Sequence, residues 1–142
     1  MPQAVARVRV SFADVDSSQR IHFTAMFRYF EVAEHELMRL IRQPYATMLY
    51  ESAFPRAHLE CDFRRAVLYD DQLDVEARVD RVGTSSWTVA FTARFADVPD
   101  ARQGATPGAV AAEGRMVIVA MHAETERSQP LPETLRAALA GD

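Results

Sequence analysis

Apolar residues recur along this chain at two different spacings, and the switch between them predicts its elements. Val8, Val10 and Phe12 alternate with Arg7, Arg9 and Ser11, the pattern of a half-buried strand. A polar stretch from Asp14 to Arg20 ends it. Met26, Phe30, Ala33, Leu37 and Ile41 then fall three or four residues apart, one apolar stripe on a helix of about Thr24 to Arg42. Arg28, Glu31, His35, Arg39 and Arg42 take the other side, with Glu31 and His35 spaced to pair across one turn. Thr24 is placed as the N-cap and Pro44 as the stop. The segment from Pro44 to Ser52 adds a turn or two.

Beyond Pro55 the period becomes two. Ala57, Leu59, Cys61 and Phe63 alternate with His58, Glu60 and Asp62. Leu73, Val75, Ala77 and Val79 alternate with polar partners, a turn is predicted over Gly83–Ser86, and Trp87, Val89, Phe91, Ala93 and Phe95 share the next face. Residues 98–108 are rich in Pro and Gly and read as an exposed loop. Residues 114–121 form a nearly continuous apolar run, expected as a central strand. Residues 131–142 read as a tail or short helix behind Pro132. Strand, long helix and four further strands make an α+β layer within a single domain spanning residues 1–142. One helix leaves apolar strand surface and sheet edges uncovered, so a dimer through a sheet edge is expected.

Composition narrows the partners. With 142 residues and a formal net charge of -4, the chain can build one core but lacks the basic balance of a nucleic-acid binder. Its one cysteine, Cys61, excludes an intramolecular disulfide framework and reads as a buried, inert thiol. No run of about 18 apolar residues suggests a membrane span, and no apolar signal region opens the chain. A cytoplasmic protein is therefore the expectation. Its four histidines, His22, His35, His58 and His122, show no metal-ligand spacing, and neither a nucleophile elbow nor a phosphate-cradling glycine loop is present. No metal or cofactor is expected.

The candidate chemistry concentrates in Asp14-Val15-Asp16, just before the predicted helix. Such a pair can form Asx-turns that brace the chain's approach to the helix. It can equally place a carboxylate beside the unpaired N–H groups and positive dipole end of a helix N-terminus, where a developing oxyanion is stabilised. There a carboxylate attacks a carbonyl directly or activates water. Phe27, Tyr29 and Phe30 read as packing residues or as the lining of an acyl or aryl pocket. Arg64 and Arg65 read as surface charges or as phosphate contacts.

The stretch from Asp14 to Glu31 resembles the signature of hotdog-fold acyl-CoA thioesterases of the 4-hydroxybenzoyl-CoA thioesterase and YbgC type. It carries Asp14-Val15-Asp16, a short loop, the segment from Ile21 to Met26, and Tyr29-Phe30-Glu31. The stretch from Asp62 to Trp87 is similar to a second block of that family, including its Gly-x-Ser-Ser turn. Ser18 and Gln19 stand where the family carries loop glycines. The resemblance implies a five-stranded antiparallel sheet wrapped around one long central helix, a homodimer or homotetramer, and active sites at the subunit interface. It implies hydrolysis of an acyl-CoA or acyl-carrier-protein thioester. Asp16 matches the catalytic carboxylate and the backbone N–H of Phe23 the carbonyl donor, while Thr24, Phe27, Arg64, Arg65, Ser85 and Ser86 contact substrate. A non-catalytic acyl-CoA- or carrier-binding module, and a hotdog dehydratase or hydratase using His22, are the alternatives.

Overall fold

The computed structural model describes all residues, 1–142, and its organising element is one helix laid on one sheet. Strand β1 (Gln3–Arg9) leads through a 3-10 turn at Phe12–Asp14 into helix α1 (Ala25–Leu40). Helix α2 (Tyr45–Met48) and the short strand β2 (Ser52–Ala53) follow, then β3 (Arg56–Phe63), β4 (Gln72–Val82), β5 (Ser86–Phe95) and β6 (Val110–Val119). Strand β7 (Met121–His122) pairs with β2, and helix α3 (Glu133–Ala140) ends the chain. The main sheet has five antiparallel strands in the order β1-β4-β5-β6-β3, so β1 and β3 are its edges.

The apolar stripe of α1 is buried as its spacing predicts: Met26, Phe30, Ala33 and Leu37 are fully enclosed. They meet the inward positions of β4 and β5, Leu73, Val75, Ala77, Val89, Phe91 and Ala93, which are equally enclosed. Phe30 stacks on Phe91 with ring centroids 4.7 Å apart. The β3 backbone and the Phe30 ring of α1 crowd position 114 of β6 so closely that only glycine fits there. A Cβ there would stand 2.3 Å from the Glu60 carbonyl oxygen and 2.7 Å from a Phe30 ring carbon. Helix α3 covers part of β4 and buries Leu135 and Leu139.

Several expectations change in the structure. The long helix is shorter than its apolar spacing suggested, because Ile41 already leaves the helical conformation at the C-cap. Thr24 occupies the N-cap position without capping: its hydroxyl meets Nδ1 of His22 at 2.8 Å instead of a helix amide. Glu31 makes no pair with His35, whose ring sits edge-on to Tyr45 instead. The first strand begins at Gln3 and ends at Arg9, so Phe12 falls in the 3-10 turn and is 74% exposed rather than part of the core. The turn redirects the chain, and the strand's alternation no longer applies there. β3 alternates in sequence yet leaves Leu59 and Phe63 45% and 50% exposed, since as an edge strand it runs past the cover of α1. β6 lies inside the sheet, one strand from the β3 edge.

Candidate active site at the start of the long helix

The segment between the 3-10 turn and α1 folds back on itself. Val15 and Ile21 bridge in antiparallel fashion, and Asp16 to Gln19 close the turn between them: the Asp16 N–H donates to the Arg20 carbonyl at 2.9 Å and the Gln19 N–H to the Asp16 carbonyl at 3.0 Å. Gln19 has a φ of 65°, the left-handed conformation that glycine adopts without penalty. The outer limb rests on the approach to β4, where Ile21 N–H donates to Val67 and Tyr69 N–H to Gln19.

The two aspartates have different surroundings. Asp14 is buried and serves α1: Nη2 of Arg28 donates to Oδ1 at 2.6 Å and the Tyr29 hydroxyl to Oδ2 at 2.7 Å. Burial pushes its pKa up, but the bonds from Tyr29 and Arg28 outweigh that and hold the carboxyl below its ordinary value. Burial first, and the contact with Asp14 second, raise the pKa of the Tyr29 hydroxyl. Asp16 is exposed. Its Oδ1 accepts from the Ser18 N–H at 2.8 Å and the Ser18 hydroxyl at 2.5 Å, an Asx-turn that leaves Oδ2 without a partner in the chain. Those two bonds, with smaller contributions from His22 and Arg20, keep its pKa below the ordinary value.

Just beyond, the chain enters α1. The His22 and Ala25 amides donate to the carbonyls of Asp14 and His22, whereas the amide of Phe23 donates to nothing in the chain. An unpaired N–H thus stands at the helix start, beyond the far limb of the turn that holds Asp16. The Phe23 ring, 63% exposed, lies against the His22 ring at 4.5 Å.

A groove of about 300 Å³ opens beside this turn, lined by Arg20, Ile21, Phe23, Phe63, Ala66 and Val67 together with Arg64 and Arg65. Phe23, Arg64 and Arg65, chosen from sequence, therefore share one surface, and Asp16 stands across the turn from it. Thr24 lies one residue beyond Phe23, bonded to His22. Phe27 is half-buried and packs edge-on to Phe30. Ser85 and Ser86 stand at the other end of the sheet: Ser86 opens β5 while Phe95, beside Leu73, closes it at the end nearer the Asp16 turn. Nine residues of strand put them about 30 Å apart. Within one chain the Ser86 carbonyl accepts from the Gly83 N–H and the Ser85 carbonyl from the Ala120 N–H. No cluster of three His, Cys, Asp or Glu side chains converges as a metal site.

Two features of this region escaped the sequence pattern. Asp71 is buried and bound by Arg102, whose Nε and Nη2 donate to its two oxygens at 2.9 Å each. Arg102 also donates to the Ala66 carbonyl, so the 98–108 loop clamps the wall of the groove. The other is Arg20, which reads as one polar residue among several until the fold turns it toward the apolar groove.

A five-stranded antiparallel sheet against one long helix, with a carboxylate and an open amide where the chain enters that helix, defines a protein of the hotdog class. The family model described as Thioesterase superfamily matches residues 19–98, a span that opens just after Asp16 and takes in Phe23, α1 and β3 to β5. The chain belongs to that superfamily. It is 27% identical over 101 residues, 69% of this chain and 77% of the other, to an Aquifex aeolicus (strain VF5) protein named "Putative esterase". Its fold matches that of Slr0204, a 1,4-dihydroxy-2-naphthoyl-CoA thioesterase from Synechocystis, with a TM-score of 0.82 at 15% identity over 97% of this chain and 96% of that one. DHNA-CoA thioesterase from Staphylococcus aureus superposes with a TM-score of 0.81 at 16% identity over 92% and 82% of the two chains.

Proposed function

We propose that this protein hydrolyses an acyl- or aryl-CoA thioester to the free acid and CoA, with Asp16 as the reacting carboxylate and the Phe23 amide as the carbonyl donor. The observation that carries the proposal is the pairing of a carboxylate oxygen and a backbone N–H, both without partners in the chain, on either side of one short turn. A thioester carbonyl placed between them receives a hydrogen bond on its oxygen and a negatively charged oxygen at its carbon. An oxyanion donor of this kind typically contributes about 3–4 kcal/mol to the transition state.

The Asp16 carboxylate, held ionised by its Ser18 contacts, acts as the nucleophile. In the proposed step Asp16 Oδ2 bonds to the carbonyl carbon and the C–S bond breaks. The CoA thiolate leaves and takes a proton from water. A second water then attacks the Asp16 carbonyl carbon of the mixed anhydride, which releases the free acid and restores the carboxylate.

Arg64 and Arg65 stand on the rim for the phosphates of the CoA tail. Phe27 and Thr24 lie beside the acyl side of the helix start. Ser85 and Ser86 reach a site of this geometry only from a partner subunit, and a dimer through the open edge of β3 would bring a second chain to Phe63 and the groove. A homodimer or homotetramer in the cytoplasm, where CoA esters are made and used, completes the reading.

The test is a panel of acyl- and aryl-CoA esters with thiol release as readout. Asp16→Asn keeps the size of the side chain and removes its charge. It should lower kcat by about 100-fold or more with only a small drop in melting temperature, since Asn keeps the turn's hydrogen bonds but not the charge. Single turnover in H2-18O should put the label into Asp16 and not into the first acid released. Retention of near wild-type hydrolysis in Asp16→Asn would sink the assignment and leave Asp16 as turn chemistry. His22→Ala separates the hydratase chemistry, which needs the imidazole, from hydrolysis, which does not.

A further inference from the structure

Three arginines line the groove, and they differ in what already holds them. Arg64 Nε lies 3.5 Å from a Glu113 oxygen and its Nη2 lies 3.9 Å from Asp62. Arg65 Nη1 donates to the Val110 carbonyl at 2.5 Å. The Arg20 side chain is exposed, makes no hydrogen bond or ion pair within the chain, and lines the groove with Ile21, Phe23, Phe63 and Val67. Its backbone, in contrast, is fixed. The Arg20 carbonyl accepts from Asp16 N–H at 2.9 Å, and Arg20 bridges to Leu68 in antiparallel fashion. The free guanidinium therefore springs from the same rigid turn as the Asp16 carboxylate, and its charge contributes to the depression of the Asp16 pKa.

A guanidinium with all its donors free, on the rim of an apolar groove, is suited to a planar or tetrahedral oxyanion carried by a ligand whose other end is apolar. On the thioester-hydrolase reading, we infer that Arg20 is the groove's anion-binding residue, gripping phosphate or carboxylate oxygens of the substrate while Phe23 and Phe63 flank its apolar part. The two sources of such oxygens are the phosphates of the CoA tail and a carboxylate on the acyl group. Arg64 and Arg65 are secondary, because the first lies beside the carboxylates of Glu113 and Asp62 and the second has one donor committed to the Val110 carbonyl.

Four thioesters separate the sources: benzoyl-CoA, benzoyl-N-acetylcysteamine, and the 4-carboxybenzoyl ester of each thiol. They are assayed with the wild-type chain, Arg20→Ala and Arg20→Lys. If Arg20 grips the tail, Arg20→Ala should raise KM for both CoA esters by about 10- to 100-fold, the range for one lost charge-assisted contact. The two cysteamine esters should respond far less, and Arg20→Lys should recover part of the loss. If Arg20 grips an acyl carboxylate, the loss should follow the 4-carboxybenzoyl group on both thiols. A loss in kcat of equal size on all four esters would show that Arg20 acts only on Asp16 and would overturn the inference. Hydrolysis by the wild type with no response to Arg20→Ala would overturn it too, while leaving the thioesterase reading intact. Should the wild type hydrolyse none of them, calorimetric titration with CoA and with pantetheine decides. A CoA affinity at least ~10-fold weaker in Arg20→Ala supports the inference without hydrolysis. Failure of the wild type to bind CoA overturns both readings.

Discussion

At the scale of single residues, the turn that carries Asp16 combines order with local strain. Gln19 holds φ at 65°, a conformation that costs a non-glycine residue about 1–2 kcal/mol. Gln19→Gly removes that cost but adds flexibility to the unfolded chain, so the net gain should be below about 1 kcal/mol. Urea melts should show a slightly higher midpoint at unchanged slope. Asp14 and Asp16 both have lowered pKa values, which fixes the sign of their pH dependence. A carboxyl held lower in the folded state contributes stability that is present above its unfolded value of about 3.9 and is lost as pH falls through the folded value. Hydrolysis by an ionised Asp16 should accordingly stay level on the acid side of neutrality and decline only below the ordinary carboxylate range. A pH–rate profile of kcat/KM with an acid limb near pH 6 would contradict this.

At the scale of elements, the far end of α1 depends on a buried ionic contact. Glu34 is fully enclosed, and Arg56 of β3 donates to its Oε2 at 2.5 Å while the Tyr45 hydroxyl of α2 donates to the same oxygen. Burial first, and the adjacent Glu34 charge second, push the Tyr45 pKa up. Three elements meet at this carboxylate. Removing one partner of a buried pair strands the other charge, at a cost of about 3–5 kcal/mol. Arg56→Ala should therefore lower stability by about that amount in denaturant melts, and Glu34→Gln made together with it should recover part of the loss. If Arg56→Ala costs less than about 1 kcal/mol, the contact is not holding these elements.

At the scale of the whole molecule, the unfinished surface is the β3 edge. One side of this eight-residue strand pairs with β6 and the other is open, and its helix-facing Leu59 and Phe63 are half exposed. A long, partly apolar edge invites pairing with another strand, and a second copy of this chain is the partner that would also complete the groove at Phe63. Leu59→Asp should convert the assembly to monomers in sedimentation at micromolar concentration and reduce hydrolysis more than about 10-fold. A wild-type chain that is monomeric and fully active under those conditions would refute the interface site.

The periodicities of the sequence determined the elements, because 3.6- and 2-residue repeats are local consequences of burying one face. The stripe of α1, the inward faces of β4 and β5 and the turn at Gly83 could all be read this way, and Asp-Val-Asp ahead of a helix marked the place of the candidate site. Tertiary structure decided what depends on neighbours distant in the chain. Phe12 left the core because the 3-10 turn redirected it, and Leu59 stayed exposed because β3 became an edge. Glu34 was buried because α2 and β3 happened to bring Tyr45 and Arg56 to it. Asp14 and Asp16, equivalent in sequence, were separated by the fold, which turned one toward Arg28 and Tyr29 and the other toward solvent. Arg20 became the free cation of the groove by the same route. Which side chain a charge meets depends on contacts between elements, and no local repeat encodes those.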